Sequence, residues 1–200
     1  MNILHIDSSI LGAASASRVL SQEAVADLSK TNAGATVTYR DLAADPLAHL
    51  SGAYFGAMAG GAPSTGLESE LETGVAVLEE FLAADVVVIG VALYNFSVPS
   101  QLKAWVDRLF VPGKTFRYTE KGSEGLAGGK RVVLAVARGG FYGPGSPTES
   151  FEHAETYLRA VFTALGVTDI DGVVAEGLKV GPEQREAAMA KARLKILELA

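Results

Sequence analysis

The feature that most constrains this chain is a series of short, unbroken apolar runs separated by longer amphipathic segments. The runs are NILHI (2–6), DVVVIGV (85–91), RVVLAVA (131–137) and, more weakly, DGVVAEG (171–177). Apolar runs without alternation are typical of strands that are buried on both faces, as in a parallel sheet. The stretch ATVTYRD (35–41) alternates instead, which predicts a strand nearer a sheet edge.

Between the runs, apolar residues recur at helical spacing. One helix is expected to start near Ser15 and another after Gly181-Pro182, since proline suits a first helical turn. The other segments with this spacing are Leu71, Val75, Leu78 and Leu82, then Leu102, Trp105, Val106 and Leu109, and then Phe151, Ala154, Leu158, Val161 and Leu165. This pattern predicts an α/β fold, a doubly wound five-stranded parallel sheet with helices on both faces. The length predicts one domain, residues 1–200.

Composition excludes several classes of function. The chain has no cysteine, so disulfides, thiolate nucleophiles and cysteine-ligated metals are excluded, and we expect no metal site. The net charge is −6 with Lys and Arg scattered, which argues against a nucleic-acid partner. No run approaches the ~20 apolar residues that cross a bilayer, and the start MNILHIDSS lacks a signal-peptide pattern. We therefore expect a cytoplasmic protein with no membrane partner.

In a doubly wound sheet, ligands bind at the carboxyl ends of the strands, where three loops of this chain are expected to meet. The first loop, DSSILGAASASRVL (7–20), leads small and hydroxyl residues into a helix. Free N–H groups at the start of a helix suit a phosphate. The hydroxyls of Ser9, Ser15 and Ser17 add donors, and Arg18 is close in sequence. The alternative is that Ser15 or Ser17 only caps the helix.

The second loop lies within GVALYNFSVPSQLKAWVDRL (90–109) and has Leu93 at the start of its tip. Tyr94 and Phe96 can pack against a planar ring, and Asn95 offers donors and an acceptor. A helix is expected after them, with Pro99 in its first turn and Ser97 as its cap. The alternative is that the two aromatic residues belong to the core.

The third loop, ARGGFYGPGSP (137–147), follows the next buried run. Gly139-Gly140 would let backbone N–H groups approach a ligand closely, although a simple tight turn is the alternative. A further stretch rich in Gly, Ala and Ser, residues 51–66, is predicted to be a long mobile loop.

Motifs that are missing narrow the choice of ligand. No G-x-G-x-x-G follows the first strand, which disfavours a tightly bound dinucleotide, and no G-x-S-x-G is present, which disfavours a hydrolase. Pro112–Thr115 resembles the end of a P-loop, but it follows a helix instead of a strand, so an NTPase is rejected. A phosphomonoester with a flat body, such as FMN, remains the natural ligand for the three loops.

The quoted loops also carry a resemblance to a known family. The chain resembles the FMN-dependent NADH azoreductases, a branch of the flavodoxin-like quinone reductases, over nearly its whole length. The segments that carry it are SSILGAASASRVLS, YNFSVPSQLKAWVDR, GKTFRYTEKGSEGLAGGK (113–130), ARGG and LGVTDIDGVVAEG. The resemblance implies a flavodoxin-like fold with strand order 2-1-3-4-5, one FMN per subunit and NADH or NADPH as donor. It also implies ping-pong hydride transfer to quinones and to aromatic azo compounds, which are cleaved to amines.

The resemblance further implies the residues of the site. The FMN-contacting positions would be Ser9, Ser15, Ala16, Ser17, Leu93, Tyr94, Asn95, Phe96, Ala137, Arg138, Gly139 and Gly140. Ala16 stands where Gln is common and Ala137 where Ser is common, but both keep the backbone N–H. No catalytic side chain is expected, because flavin N5 carries the chemistry, and the acceptor pocket would be lined by Phe96, Phe116 and Tyr118. The family's site lies at a homodimer interface, which residues 113–126 would help to form.

Two other functions remain open from the sequence. One is a flavodoxin-type FMN electron carrier that does not oxidise NAD(P)H, and the other is a sensor or scaffold that has lost FMN. The long segments 42–66 and 112–129 favour the reductase, because electron carriers of this fold are usually shorter.

Overall fold

The computed structural model describes residues 1–199, and its core is a parallel sheet with helices on both faces. The strands are β1 (Asn2–Asp7), β2 (Thr36–Asp41), β3 (Val86–Ala92), β4 (Phe116–Thr119), β5 (Gly122–Gly125), β6 (Arg131–Ala137) and β7 (Asp169–Ala175). The helices are α1 (Ala16–Thr31), α2 (Gly52–Met58), α3 (Glu68–Ala83), α4 (Ser100–Leu109), α5 (Glu155–Ala164) and α6 (Pro182–Leu197).

The sheet has the order β2-β1-β3-β6-β7, and every pair of neighbours is parallel. Because β4 and β5 form a separate antiparallel hairpin, β6 and β7 are the fourth and fifth strands of the sheet. The predicted order 2-1-3-4-5 and the doubly wound α/β fold are therefore confirmed. The most apolar run, β3, is buried along its whole length, whereas β2 lies at an edge with its first four residues exposed.

Helices cover both faces of the sheet. On one face α3, α4 and α5 enclose the side chains of Phe81, Trp105 and Phe162, whose ring centroids lie 6.2–6.5 Å apart. On the other face α1 and α6 pack residues such as Leu20 and Ile196 against the sheet. Since all five strands run the same way, their carboxyl ends meet at one edge, where the three loops leave them.

Residues 51–66 do not form one long loop, so that prediction was wrong for the segment that contains α2. Ser51 caps α2 by accepting the Tyr54 N–H at 3.1 Å, and the Tyr54 side chain is buried. A Cβ at Gly74 in α3 would lie 2.1 Å from the Tyr54 hydroxyl, so this glycine makes room for the ring. The helix is stabilised by this tertiary contact, which local composition does not reveal.

The fifth helix also starts later than the spacing predicts. Phe151 lies in a short 3₁₀ turn, and α5 begins only at Glu155. The cause is the Glu152 carboxylate, which accepts the backbone N–H groups of Ala154, Glu155 and Thr156 and so fixes the start of the helix. Of the helices in residues 1–199, none is both long and apolar enough to cross a membrane.

Candidate functional site

The first loop ends at the start of α1, close to the predicted position, and Ser15 is the N-cap of this helix. Its hydroxyl accepts the Arg18 N–H at 3.4 Å and lies 3.0 Å from the Ser17 hydroxyl. The N–H groups of Ala16 and Ser17 donate to no acceptor among residues 1–199, although both residues are buried. Buried donors without partners at the positive end of a helix are well suited to a phosphate group.

The Arg18 side chain, which is close in sequence to this helix end, is bonded to acceptors within the protein. Its Nε and Nη2 donate to the Ser9 carbonyl at 3.1 and 2.8 Å, and Nη1 and Nη2 donate to the two Asp41 oxygens at 2.7 and 2.6 Å. These bonds hold the pKa of Asp41 below its ordinary value, against the opposing effect of burial. Burial and the nearby Asp7 and Asp41 carboxylates raise the pKa of Tyr39 to about 12. Arg18 thus fixes the orientation of the Ser9 peptide by donating to its carbonyl oxygen.

Replacing Arg18 with methionine is expected to lower the free energy of unfolding by about 1–3 kcal/mol, because it leaves the Ser9 carbonyl and the Asp41 carboxylate without their donor. Urea unfolding of the protein measures the loss. The control is Arg193→Met, which removes an exposed pair with Glu23 and should cost less than about 1 kcal/mol. Equal losses in the two variants would contradict the role assigned to Arg18.

The second loop is a tight two-residue turn with an unusual backbone. Tyr94 and Ser97 exchange backbone hydrogen bonds of 3.0 and 3.1 Å, and between them Asn95 and Phe96 have φ values of 48° and 73°. Asn adopts a left-handed conformation more readily than other non-glycine residues, whereas this conformation is strained for a bulky residue such as Phe. Strain of this kind costs of the order of 1–3 kcal/mol and concentrates at functional sites. Ser97 is held in the turn and does not cap the helix, so that prediction was wrong; Pro99 occupies the N-cap position.

The turn presents its backbone and one aromatic ring. In the described part of the chain, the N–H groups of Asn95 and Phe96 have no acceptor and the exposed Asn95 side chain makes no hydrogen bond. The Phe96 ring is half-exposed and lies 5.2 Å from the Phe151 ring and 6.3 Å from the Tyr142 ring, centroid to centroid. The backbone carbonyl of Phe96 accepts the His153 N–H at 2.9 Å. This geometry gives Asn95 a conformational role, which the sequence did not reveal.

Direct hydrogen bonds join the three loops. The Ser9 hydroxyl lies 2.9 Å from the Tyr94 hydroxyl, which ties the first loop to the second. The Leu93 N–H donates to the Ala137 carbonyl at 3.0 Å, which ties the second loop to the third. The structure thus brings the predicted residues of all three loops together at the carboxyl edge of the sheet.

In the third loop, the carbonyls of Arg138, Gly139 and Gly140 all point to residues 177–179. They accept the N–H groups of that segment at 3.1, 2.9 and 2.8 Å. The N–H groups of Gly139 and Gly140 have no acceptor within residues 1–199 and remain available to a ligand. A Cβ at Gly140 would lie 3.2 Å from the Tyr142 ring, so the loop has little space for a side chain there.

Phe116 and Tyr118 are not brought to these loops within one chain. They belong to the β4–β5 hairpin, where their ring centroids lie 5.3 Å apart and Phe116 also contacts Phe110. The hairpin packs on the end of α5, since the Ala127 N–H donates to the Leu165 carbonyl at 2.8 Å. A helix that follows a parallel strand runs back to the amino edge of the sheet, so this aromatic cluster lies away from the loops. Tyr118 is 78% exposed.

Known proteins share this fold and much of this sequence. A family model described as "Flavodoxin-like fold" matches residues 1–200. An FMN-dependent NADH:quinone oxidoreductase of Xanthomonas campestris pv. campestris is 58% identical over 98% of both chains. FMN-dependent NADH:quinone oxidoreductase 2 of Bradyrhizobium diazoefficiens is 53% identical over 96% of this chain and 95% of its own.

Solved structures of other proteins also match this chain over its whole length. An azoreductase from Bacillus anthracis has a TM-score of 0.90 at 27% identity, covering 100% of this chain and 98% of its own. An FMN-dependent NADH-azoreductase from the same organism, solved in complex with FMN, has a TM-score of 0.88 at 25% identity, covering 100% and 97%. Fold and loops together define a flavodoxin-like protein. More narrowly, the chain belongs to the flavodoxin-like family of FMN-dependent NADH:quinone oxidoreductases, which confirms the resemblance in its loops.

Proposed function

We propose that this protein binds FMN across the three loops and reduces quinones with electrons from NADH. The observation that carries the proposal is that each loop has backbone N–H groups with no acceptor within residues 1–199, among them two adjacent ones on each loop, at one edge of the sheet. They belong to Ala16, Ser17, Asn95, Phe96, Gly139 and Gly140. A phosphate at one end of a flat, polar-edged ring system matches donors arranged in this way.

Each loop has a separate task in binding. Ser9 and the segment 15–17 would hold the phosphate, Leu93 to Phe96 one edge of the ring system, and Ala137 to Gly140 its pyrimidine side. Arg138 would give the ring no hydrogen bond, because its side chain is turned into the protein and its backbone N–H and carbonyl are bonded to Ala175 and Leu178. When bound, FMN supplies hydride transfer at N5.

The protein's own groups would position FMN and its substrates and exclude water from the ring. No side chain need act as an acid or a base. The Gly139 and Gly140 N–H groups are placed to stabilise negative charge on the pyrimidine side. Phe96, with Tyr142 and Phe151 against it, forms an apolar wall that favours flat acceptors and specifies their shape weakly. We therefore expect broad acceptor tolerance, including aromatic azo compounds.

Nicotinamide and acceptor are proposed to occupy the same space in turn, which is a ping-pong order. Cleavage of an azo bond to two amines takes four electrons and thus consumes two nicotinamides. NADH is favoured over NADPH, because three arginines that could otherwise hold a 2′-phosphate are already paired with carboxylates. Arg18 pairs with Asp41, Arg108 with Glu70 and Arg117 with Glu124.

A homodimer is proposed to complete the site. An apolar cavity of about 400 Å³ lies between α2 and the end of α4, and Phe55 beside it is 68% exposed. Burial of this face against a second copy would remove it from water and would let Phe116 and Tyr118 serve the acceptor pocket of the other subunit. Light scattering should then give about twice the 20.8 kDa of one chain.

Anaerobic mixing of the FMN-loaded protein with NADH tests the function directly. We expect the yellow absorbance to bleach and then to recover on addition of a quinone or an azo dye, with parallel double-reciprocal plots in steady state. NADPH should act more slowly than NADH. A sample that holds FMN but stays oxidised with both nicotinamides would leave the electron carrier as the better interpretation, and failure to retain FMN would leave the sensor or scaffold.

A further inference from the structure

Arg138 follows β6 directly, yet its side chain turns away from the third loop into a group of three carboxylates. The residue is 4% exposed. One of its nitrogens lies 2.6 Å from the Glu155 carboxylate and 3.5 Å from that of Glu152, and the other lies 3.4 Å from the Glu176 carboxylate. The three acids come from the start of α5 and the end of β7, so a single cation joins two elements that the backbone does not connect locally.

Through Glu152 this cluster reaches the second loop. The Glu152 carboxylate accepts three backbone N–H groups at the start of α5, at 2.8–3.1 Å. Burial raises the pKa of this carboxyl, but the three N–H groups and Arg138 outweigh that effect and hold the pKa below its ordinary value. The next residue, His153, donates its N–H to the carbonyl of Phe96, the residue with φ of 73°. The position of the strained turn therefore depends on where α5 starts.

Through Glu176 the same cluster reaches the third loop. The Glu176 carboxylate accepts the N–H groups of Tyr142 and Gly143 at 3.1 and 3.0 Å. The following residue, Gly177, donates its N–H to the Gly140 carbonyl at 2.8 Å. Glu176 thus fixes the chain on both sides of the Gly139–Gly140 donors.

The charges make Arg138 hard to replace. A planar guanidinium can face several carboxylates at once, whereas a lysine ammonium is a single point charge. Glu155 also pairs with Arg159 at 2.9 Å, over the bare backbone of Gly172. Within residues 1–199, Arg159 pairs with Glu155 alone and is 41% exposed at its side chain, so without Arg138 the carboxylates of Glu152 and Glu176 would lose their cation. Their repulsion would separate the start of α5 from the end of β7.

We propose that Arg138 is a positioning residue that holds the Phe96 turn and the Gly139–Gly140 donors in one arrangement before FMN binds. The inference rests on the proposed function in one respect, namely that FMN lies across these two loops. It goes beyond that function by naming a residue that reaches the ring only through other residues. It also couples two loops whose residues Phe96 and Gly139 are 43 positions apart in sequence.

The test compares Arg138→Gln and Arg138→Lys with the control Arg193→Gln, which removes an exposed pair with Glu23. Amide hydrogen exchange is measured on the apoproteins, and FMN affinity by quenching of flavin fluorescence. The amides that can report are those hydrogen-bonded in the parent, Tyr94 and Ser97 in residues 94–97 and Tyr142 and Gly143 in residues 139–143. For Arg138→Gln we expect faster exchange at both pairs, and a Kd for FMN raised by about ten- to a hundredfold. Arg138→Lys should show a smaller change in the same two segments, and Arg193→Gln should match the parent in both measurements.

Faster exchange confined to one of the two segments, or an unchanged Kd despite faster exchange in both, would overturn the proposal. If Arg138→Gln does not fold, Glu155→Gln removes the shortest of the three ion pairs and should raise the Kd by about three- to tenfold with the same exchange pattern. Failure of the proposed function would look different. The parent apoprotein would then bind no FMN, while the exchange pattern would still show whether Arg138 couples the loops.

Discussion

Replacing Gly90 with alanine is expected to lower both the stability of the protein and its affinity for FMN. Gly90 lies within β3 beside Asp7 of β1, where an added Cβ would be 2.3 Å from the Asp7 carboxylate and 3.2 Å from the Ser17 carbonyl. Asp7 cannot turn aside freely, because the Ser21 and Tyr39 hydroxyls donate to it at 2.8 and 3.1 Å. The start of α1 must therefore move outward, and the Ser17 N–H moves with it.

Overpacking of this kind costs about 1–3 kcal/mol, and displacement of a phosphate donor should raise the Kd for FMN by about tenfold or more. Urea unfolding of the apoprotein and titration with FMN give the two numbers. Gly52→Ala is the matched control, since a Cβ there meets nothing within 4 Å and the residue starts α2. Gly90→Ala with the parent's stability and Kd would show that α1 does not depend on this close approach.

The sequence predicted the sheet well because the strands are buried on both faces and their apolar runs are unbroken. The run at 85–91 became β3 and the run at 131–137 became β6 at the centre of the sheet. The hairpin was harder to predict, because Arg117 and Glu124 pair on an exposed, polar ribbon. Its anchor is a contact between backbones: a Cβ at Gly125 would lie 2.1 Å from the Gly166 nitrogen. Glycine contacts across 41 residues leave no periodic signal in a sequence.

The sequence also predicted where the candidate site lies. It did not predict the ion pairs and hydrogen bonds that hold the loops of the site in place. Hydroxyl, amide and glycine residues directly after buried strands mark the three loops in the sequence. The pairing of Arg18 with Asp41 and of Arg138 with Glu155 depends on side-chain directions that only the packed fold defines. One local signal was present for Glu176, an acidic residue at the end of an apolar strand, but nothing in the sequence indicated that it would bind the Tyr142 and Gly143 N–H groups.

Asn95 could act through its backbone conformation or through its side-chain amide. Two substitutions that both remove the amide distinguish these two roles. At φ of 48° glycine is unstrained, whereas a β-branched residue is a conformational outlier. Asn95→Val is therefore expected to destabilise the apoprotein by about 2 kcal/mol and to raise the Kd for FMN by about thirtyfold, because the turn can no longer present the Asn95 and Phe96 N–H groups.

Asn95→Gly should keep the turn and stay within about threefold of the parent's Kd, since glycine adopts positive φ as readily as negative φ. Both variants are measured by urea unfolding and by FMN titration, with the visible spectrum of the bound flavin as a check on ring contacts. If glycine and valine weakened FMN binding equally while only valine lowered stability, the amide itself would be the contact. The strained turn would then be important for presenting that side chain, and the free N–H groups would not explain the choice of asparagine.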